Sequence, residues 1–508
     1  MQPPLERRTA VRPSPRRHGA AVFLALGLAG ATPTAAQVIP IKTVPVATGD
    51  QFLVFPSDRL GMGGVSIALV DSLGDPFSNP ATLARLATPR LFGAPTAYSI
   101  TDDHGGAITL PMGGLLRGAS WHGGVGVALQ ELDRGRSPVD VWWLQSTVPR
   151  RDELSQRNRT NLYGYGAVAR SLGPSTSLGD SVTVADLSAV AGVDLLYDRR
   201  PVDQDGHHLD LRVGLMRETE EGGSTDTVLL HSRFDLRHEL IEQVWTPVPV
   251  DTLPQDQWPW EPMTVQRTER DRTDTWGLHL AHSRPLAAAG WAAGGVLTVN
   301  SKDHPLIPNY TLMSIPRDPG GSGAYDVGVG VAKRTESSVF GVDLVYEPIW
   351  TETWADAVVY TPTAGNDTIP PGDMTVYNDF RFDNLVLRMG VGGTRDMVDL
   401  QVGLQLRAYR YTLDQTDFVA ERRRRQHEDW IEWTPSLSLG LRFTDFSVQY
   451  SGRITSGTGR PGVSWGGGVV EGDFALATDF LPAPSGALTL DEALVHTHQV
   501  SVAIPVGQ

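Results

Sequence analysis

From about residue 91 onward the chain repeats one pattern that leaves little choice of fold. Between Val398 and Ala408, the residues Val398, Leu400, Val402, Leu404, Leu406 and Ala408 fall on one face, while Asp399, Gln401, Gly403, Gln405, Arg407 and Tyr409 fall on the other. Strict alternation is the signature of an extended strand, whose successive side chains point to opposite faces. The pattern recurs at Leu385, Leu387, Met389 and Val391, at Leu437, Leu439, Leu441 and Phe443, and at Val327, Val329 and Val331. Counting similar stretches up to Val506 predicts roughly fourteen to sixteen strands. In a soluble sandwich the second face is polar and solvated; in a closed membrane barrel it is rich in glycine and small polar residues because side chains crowd inward. Here that face is repeatedly glycine, serine, glutamine or arginine, which points to the barrel. Strands of about ten residues also match a tilted bilayer span. Tyr346, Trp350, Trp354, Tyr409, Tyr411, Trp430 and Trp433 near strand ends are expected in interfacial girdles.

The connections alternate short and long. Thr394, Arg395 and Asp396 read as a tight turn, whereas residues 245–274, 302–323, 347–383, 413–433 and 457–492 read as long loops on the opposite rim. No internal repeat and no compositional break marks a second domain in the strand-rich part.

The amino terminus differs in kind. Arg7, Arg8, Arg12, Arg16 and Arg17 precede an apolar run from Ala20 to Ala31, and Thr34, Ala35 and Ala36 supply small residues for a signal peptidase. Residues 1–36 are therefore expected to be a signal peptide cleaved after Ala36, with export of the rest. The chain has no cysteine, so an exported domain would hold together without disulfides and carries no thiolate nucleophile. The net charge of −15 and the near absence of lysine (Lys42, Lys302 and Lys333 only) argue against nucleic-acid binding, which needs a basic stripe.

Chemical motifs are few. Gly462-Val463-Ser464-Trp465-Gly466 matches a nucleophile elbow, with Asp491 and His496 or His498 following, but glycine-rich loop sequence flanks it where a strand and a helix are required. No enzyme is expected. His496 and His498 would share a strand face, with no third metal ligand in view. His207 and His208 follow Asp205-Gly206 at an expected turn. No metal site and no cofactor is predicted. Arg422, Arg423, Arg424 and Arg425 form the densest positive cluster after the signal region; on an outer loop they are candidates for lipopolysaccharide phosphates, which guanidinium forks match. Acidic neighbours Glu428, Asp429 and Glu432 offer the plainer reading of a solvated, internally paired loop.

Residues 58–86 complete the picture. Arg59-Leu60-Gly61-Met62-Gly63-Gly64-Val65 is glycine-rich, Asp71 follows, and Asn79-Pro80-Ala81 carries a helix start, with Asn79 as N-cap and Pro80 at the first helical position. This stretch resembles the amino-terminal signature of the FadL/TodX family of outer-membrane channels and the related PorV-like barrels. The resemblance implies an all-β, antiparallel transmembrane barrel of about fourteen strands in the bacterial outer membrane. Its implied layout is a plug segment over residues 37–90 and a barrel over 91–508. Gly61, Gly63, Gly64, Asp71, Asn79, Pro80 and Ala81 carry over to the plug. The implied function is passive uptake of hydrophobic small molecules, of fatty-acid or aromatic-hydrocarbon type. The implied partners are outer-membrane lipid and lipopolysaccharide. The alternative is a PorV-like barrel serving protein secretion or surface attachment, with secretion components as partners. One departure is the ending Ile504-Pro505-Val506-Gly507-Gln508, where such barrels usually carry an aromatic residue.

Overall fold

The computed structural model describes residues 38–39, 47, 49–71, 73–102, 105–133, 158–188, 202–247, 254, 260–304, 320–357, 360–461 and 490–506. Its strands are β1 (Arg90–Gly93), β2 (Thr96–Ile100), β3 (Gly106–Arg117), β4 (Trp121–Asp133), β5 (Asn158–Ser171), β6 (Thr176–Leu187), β7 (Val202–Glu218), β8 (Ser224–Pro247), β9 (Trp260–Pro285) and β10 (Trp291–His304). There follow β11 (Gly320–Arg334), β12 (Ser338–Asp356), β13 (Thr361–Pro362), β14 (Thr368–Ile369), β15 (Met374–Arg395), β16 (Val398–Asp417), β17 (Arg422–Arg442), β18 (Ser447–Pro461) and β19 (Leu490–Pro505). Each pairs antiparallel with its neighbours, and β13 and β14 form a separate small hairpin.

The sheet closes on itself. Both β1 and β2 pair with β19 on one side and β3 on the other, so together they fill one position in the ring. The interruption falls at Ala94-Pro95, where proline brings no N–H to the ladder. The result is a closed barrel of 16 strands with two further strands outside it, which corrects the expectation of about fourteen. Separately, several stretches expected as loops are strand, which lengthens existing strands without adding to their number in the ring. Residues 245–247 and 260–274 form the far ends of β8 and β9, which pair from Ser224↔Ser283 to Pro247↔Trp260; of the rest of that expected loop only residue 254 is described. Residues 413–433 contain only a short turn at 418–421, flanked by β16 and β17. Within 347–383, β12 continues to Asp356 and β15 begins at Met374.

The alternation resolves as read. Val327, Val329, Leu385, Val391, Val398, Leu400, Val402, Leu437 and Leu439 point outward and are exposed. The facing positions Asp343, Asn384, Thr434, Ser436, Ser438 and Gln499 are buried in the interior. An apolar exterior around a polar interior inverts the arrangement of a water-soluble protein and suits hydrocarbon outside. The aromatic residues divide between the two faces. Tyr346, Trp350 and Trp433 are exposed on the outside, whereas Tyr409 and Tyr411 are 6% and 4% exposed and pack inside with Trp430. The expectation that all seven sit in girdles is therefore corrected for these three.

One rim carries tight turns, among them 118–120, 335–337 and 396–397, where Asp396 takes a left-handed φ of 54°. Both Arg90 and Pro505 lie at this rim, paired with one another. Among the described residues, the opposite rim carries the turn 418–421 and the β13–β14 hairpin between β12 and β15.

Candidate functional site

The interior is not empty, because residues 49–86 run against the inward face of the wall. This segment holds a 3-10 turn at Leu60–Met62, a short helix at Asp75–Ser78 and a second 3-10 helix at Pro80–Arg85. Its apolar side chains build the internal core. Leu73, Phe77, Leu83 and Leu86 pack against Phe92, Leu115, Tyr165 and Ala169, and Met62, Val65, Ala68 and Leu69 pack with Ala332. Burying a side chain of this size stabilises by about 1.5–3 kcal/mol, so the segment is held by many such contributions.

The glycines of the signature and the glycines of the wall meet. Gly63 adopts φ 68°, and a Cβ there would lie 2.8 Å from the backbone nitrogen of Leu404. Across the contact, a Cβ on Gly403 would lie 2.1 Å from the nitrogen of Gly63, and one on Gly390 would lie 2.4 Å from the carbonyl oxygen of Met62. A Cβ on Gly61 would strike Ser438 at 2.1 Å. Gly64, with φ 75°, lies beside Arg388. Only glycine on both partners permits backbone to approach backbone this closely. Ser436 closes the contact, accepting from the N–H of Gly63 at 2.9 Å and donating to the carbonyl of Gly61 at 3.1 Å. Two further amides, of Ser66 and Ile67, donate to one oxygen of Asp343 at 2.7 and 3.1 Å.

Asp71 organises the segment internally. Its carboxylate accepts from the Ser57 hydroxyl at 2.6 Å and from the amides of Asp58, Leu73 and Gly74 at 3.2, 3.1 and 2.7 Å. Its own amide donates to Asp75 at 3.0 Å. Asp75 is fully enclosed, and burial, reinforced by the Asp71 charge, pushes its carboxyl well above the ordinary range despite Arg59 and Arg85.

Asn79 caps the second 3-10 helix as expected, accepting from the N–H of Ala81 at 3.0 Å. Its amide nitrogen also donates to Asp226 at 3.2 Å. Pro80 and Ala81 pass so near β6 that a Cβ on Gly179 would lie 2.6 Å from both, and one on Gly214 would lie 2.0 Å from the Asn79 oxygen. Ser177 donates to the Ala81 carbonyl at 3.0 Å, and the Tyr165 hydroxyl donates to Pro76 at 2.9 Å. All seven signature positions thus lie on one continuous segment, the glycines against β15–β17 and Asn79-Pro80-Ala81 against β5–β8.

Farther toward the long-loop rim, Ile39 sits among Ile349, Phe380, Phe382, Tyr411 and Leu413. Its amide donates to Asn300 at 2.6 Å, and the buried Lys302 ammonium donates to its carbonyl at 2.8 Å. Below this aromatic patch lies a charged layer, in which Arg407 pairs with Glu347 at 3.0 Å. Sequence reading missed Asp343, Ser436, Asp226 and Lys302. The available signal was a charged or hydroxyl residue on the inward face of an otherwise apolar strand, and for Lys302 the rarity of lysine itself.

Other sequence candidates disperse. The arginines 422–425 lie in the first residues of β17, not on a loop, with Arg422 opposite Asp417 and Arg425 opposite Asp414. Arg425 Nε is 3.5 Å from Asp414. His207 and His208 sit within β7 rather than at a turn, and the His208 ring stacks on Phe234 inside the barrel. The glycine before them pairs with Leu236 and continues the ladder, which is why the turn does not form. His496 and His498 share the outward face of β19, His498 with the Tyr450 hydroxyl 2.8 Å from its Nδ1. Ser464 and the signal region lie outside the described residues. Among the described residues no cluster of three or more His, Cys, Asp or Glu could hold a metal ion.

No family model matches the chain, and no curated protein matches it. Solved structures similar to it include a FadL homologue of Pseudomonas aeruginosa, at 10% identity over 90% of this chain and 100% of that one, with TM-score 0.45. The Ralstonia pickettii toluene transporter TbuX aligns at 11% identity over 90% of this chain and 100% of its own, with TM-score 0.33. The P. putida toluene transporter TodX aligns at 11% identity over 89% of this chain and 98% of its own, with TM-score 0.34. The chain is thus similar to solved channels of the FadL/TodX kind.

Proposed function

We propose that this protein is a FadL/TodX-like channel of the bacterial outer membrane, passing hydrophobic small molecules passively through a barrel governed by an amino-terminal plug. In this reading residues 1–36 are the signal peptide, 37–90 the plug and 91–508 the barrel. The observation that carries it is the seating of residues 58–86 inside the wall on paired glycines, with the aromatic patch around Ile39 beyond. A barrel filled in this way excludes a wide aqueous path, while an apolar patch such as that around Ile39 gives greasy molecules a favourable site. Among the described residues, nothing in the interior favours the secretion-linked alternative.

Deleting residues 58–86 is expected to raise permeability to small hydrophilic solutes and to alter uptake of a labelled long-chain fatty acid. Unchanged permeability in a deletion that still shows a heat-modifiable gel shift would remove the plug. The arginines 422–425 remain candidates for lipopolysaccharide phosphates, with Arg423 and Arg425 exposed on the outer face. Replacing all four by glutamine should lower lipopolysaccharide retained on purification, and equal retention would end that idea.

A further inference from the structure

The outward face of β9–β11 meets the tight-turn rim in a patch whose charge opposes that of the chain as a whole. Residues 276–285, 291–301 and 327–334 contain no aspartate or glutamate, in a protein of net charge −15. Arg284 and Lys333 are exposed in this patch, and Trp291 lies on the strand between theirs. Ala292 and Ala332 pack inside with the amino-terminal segment, so Trp291, Ala293 and Lys333 take the outer face. Arg284 falls on that face too, in step with the exposed Trp276.

Strand register brings the three together. Trp291 pairs with Lys333, whose ammonium lies 5.4 Å from the centre of the indole ring, and Arg284 pairs with Ala293, the next outward residue after Trp291. Among the described residues neither cation has an ion-pair partner. The acid nearest Lys333 in sequence, Glu336, lines the lumen mouth with Arg59 and Arg334. The turn from β9 to β10 is apolar, with Leu286, Ala287, Ala288 and Ala289 all exposed. Apolar side chains flanked by tryptophan and basic residues suit the headgroup level of a membrane. Above the rim, Ala293 and Gly295 pair with Val331 and Val329, so small residues on β10 leave a shallow column beside larger ones.

We propose that this patch is a site for one anionic phospholipid on the outside of the barrel, its phosphate held by Arg284 and Lys333, its glycerol against Trp291 and an acyl chain along Ala293 and Gly295. The column is continuous with the lipid-facing wall, and two cations without a neighbouring acid favour a head of net negative charge over a zwitterionic one. A similar pair recurs where the Arg170 guanidinium lies 5.2 Å from the centre of the Trp121 ring. There the adjoining strand β6 exposes Asp180, which offsets the arginine and makes that face a comparison. The site depends on the barrel lying in a membrane and is independent of what its lumen passes.

The test uses the purified, delipidated full-length protein in detergent, titrated with dipalmitoyl phosphatidylglycerol and with dipalmitoyl phosphatidylethanolamine and read by native mass spectrometry. One phosphatidylglycerol is expected to bind about tenfold more tightly than phosphatidylethanolamine. Lys333→Gln and Arg284→Gln should each weaken phosphatidylglycerol about fivefold, the effect of one basic residue near an anionic head, and change phosphatidylethanolamine little. Arg170→Gln should leave both lipids unchanged. All three side chains are exposed on the outer face, and a retained heat-modifiable gel shift shows that each variant folds. Equal affinity for the two lipids, unchanged binding in either Lys333→Gln or Arg284→Gln, or an equal loss in Arg170→Gln overturns the site. Displacement of the lipid by millimolar inorganic phosphate assigns the cations to a free anion and overturns the lipid.

Discussion

Gly403 and Gly63 show why the inner face of this barrel is rich in glycine. Sequence reading attributed those residues to crowding in a narrow lumen, but their positions follow the path of residues 61–67 and 79–81. A side chain at Gly403 would overlap the backbone of the segment, with no flexible group to yield. Gly403→Val is therefore expected to expel the segment while leaving the outward face of β16 intact. Protease cleavage within residues 58–86 should rise in the variant, and an unchanged cleavage pattern would count against close seating. Asp75 supplies a second residue-level expectation. Folding raises its pKa through burial and the Asp71 charge, against Arg59 and Arg85. Its contribution to holding the segment is complete below the unfolded carboxylate value and is lost as pH rises through the folded one. Amide exchange across residues 71–79 should accordingly quicken as pH rises, beyond the intrinsic effect, and Asp75→Asn should abolish the excess. An excess that persists in Asp75→Asn assigns the dependence elsewhere.

At the scale of elements, the signature reads well and the long hairpin does not. Asn79 and Pro80 announced a helix start, and a start is present because the Asn79 oxygen meets the Ala81 amide. The helix is 3-10 and runs in the narrow gap beside β5–β8. In contrast, residues 245–274 carry prolines and charges that suggest a loop, yet 245–247 and 260–274 extend β8 and β9 to 24 and 26 residues. At about 3.3 Å per residue such strands run far beyond the roughly ten residues a bilayer needs. Their outward faces change accordingly, from Leu229 and Trp276 to the pairs Arg233–Asp274 and Arg270–Asp235. The far end of this hairpin therefore stands in water. Deleting residues 238–269 should leave barrel assembly intact, read as a retained heat-modifiable gel shift; loss of that shift would show that the arm is needed to close the sheet.

Over the whole molecule, period-two alternation by itself determined a β architecture, because only an extended chain sorts side chains at every second residue, and the glycine- and polar-rich second face pointed to a closed barrel. Local chemistry likewise determined where the second helix of the amino-terminal segment starts, through Asn79 and Pro80. Alternation bounded the count at fourteen to sixteen, and the ring of 16 was settled only by the pairing that puts β1 and β2 in one position between β19 and β3. The inward destinations of Tyr411 and Trp430 were not legible, because an aromatic at a strand end satisfies a girdle and a lumen equally, whereas alternation had already set Tyr409 on the inward face. Only the tertiary structure brought residue 63 against residue 403 and residue 66 against residue 343, contacts across most of the chain. Alternation reports which face a side chain takes, and it carries no information about what another part of the chain places against that face.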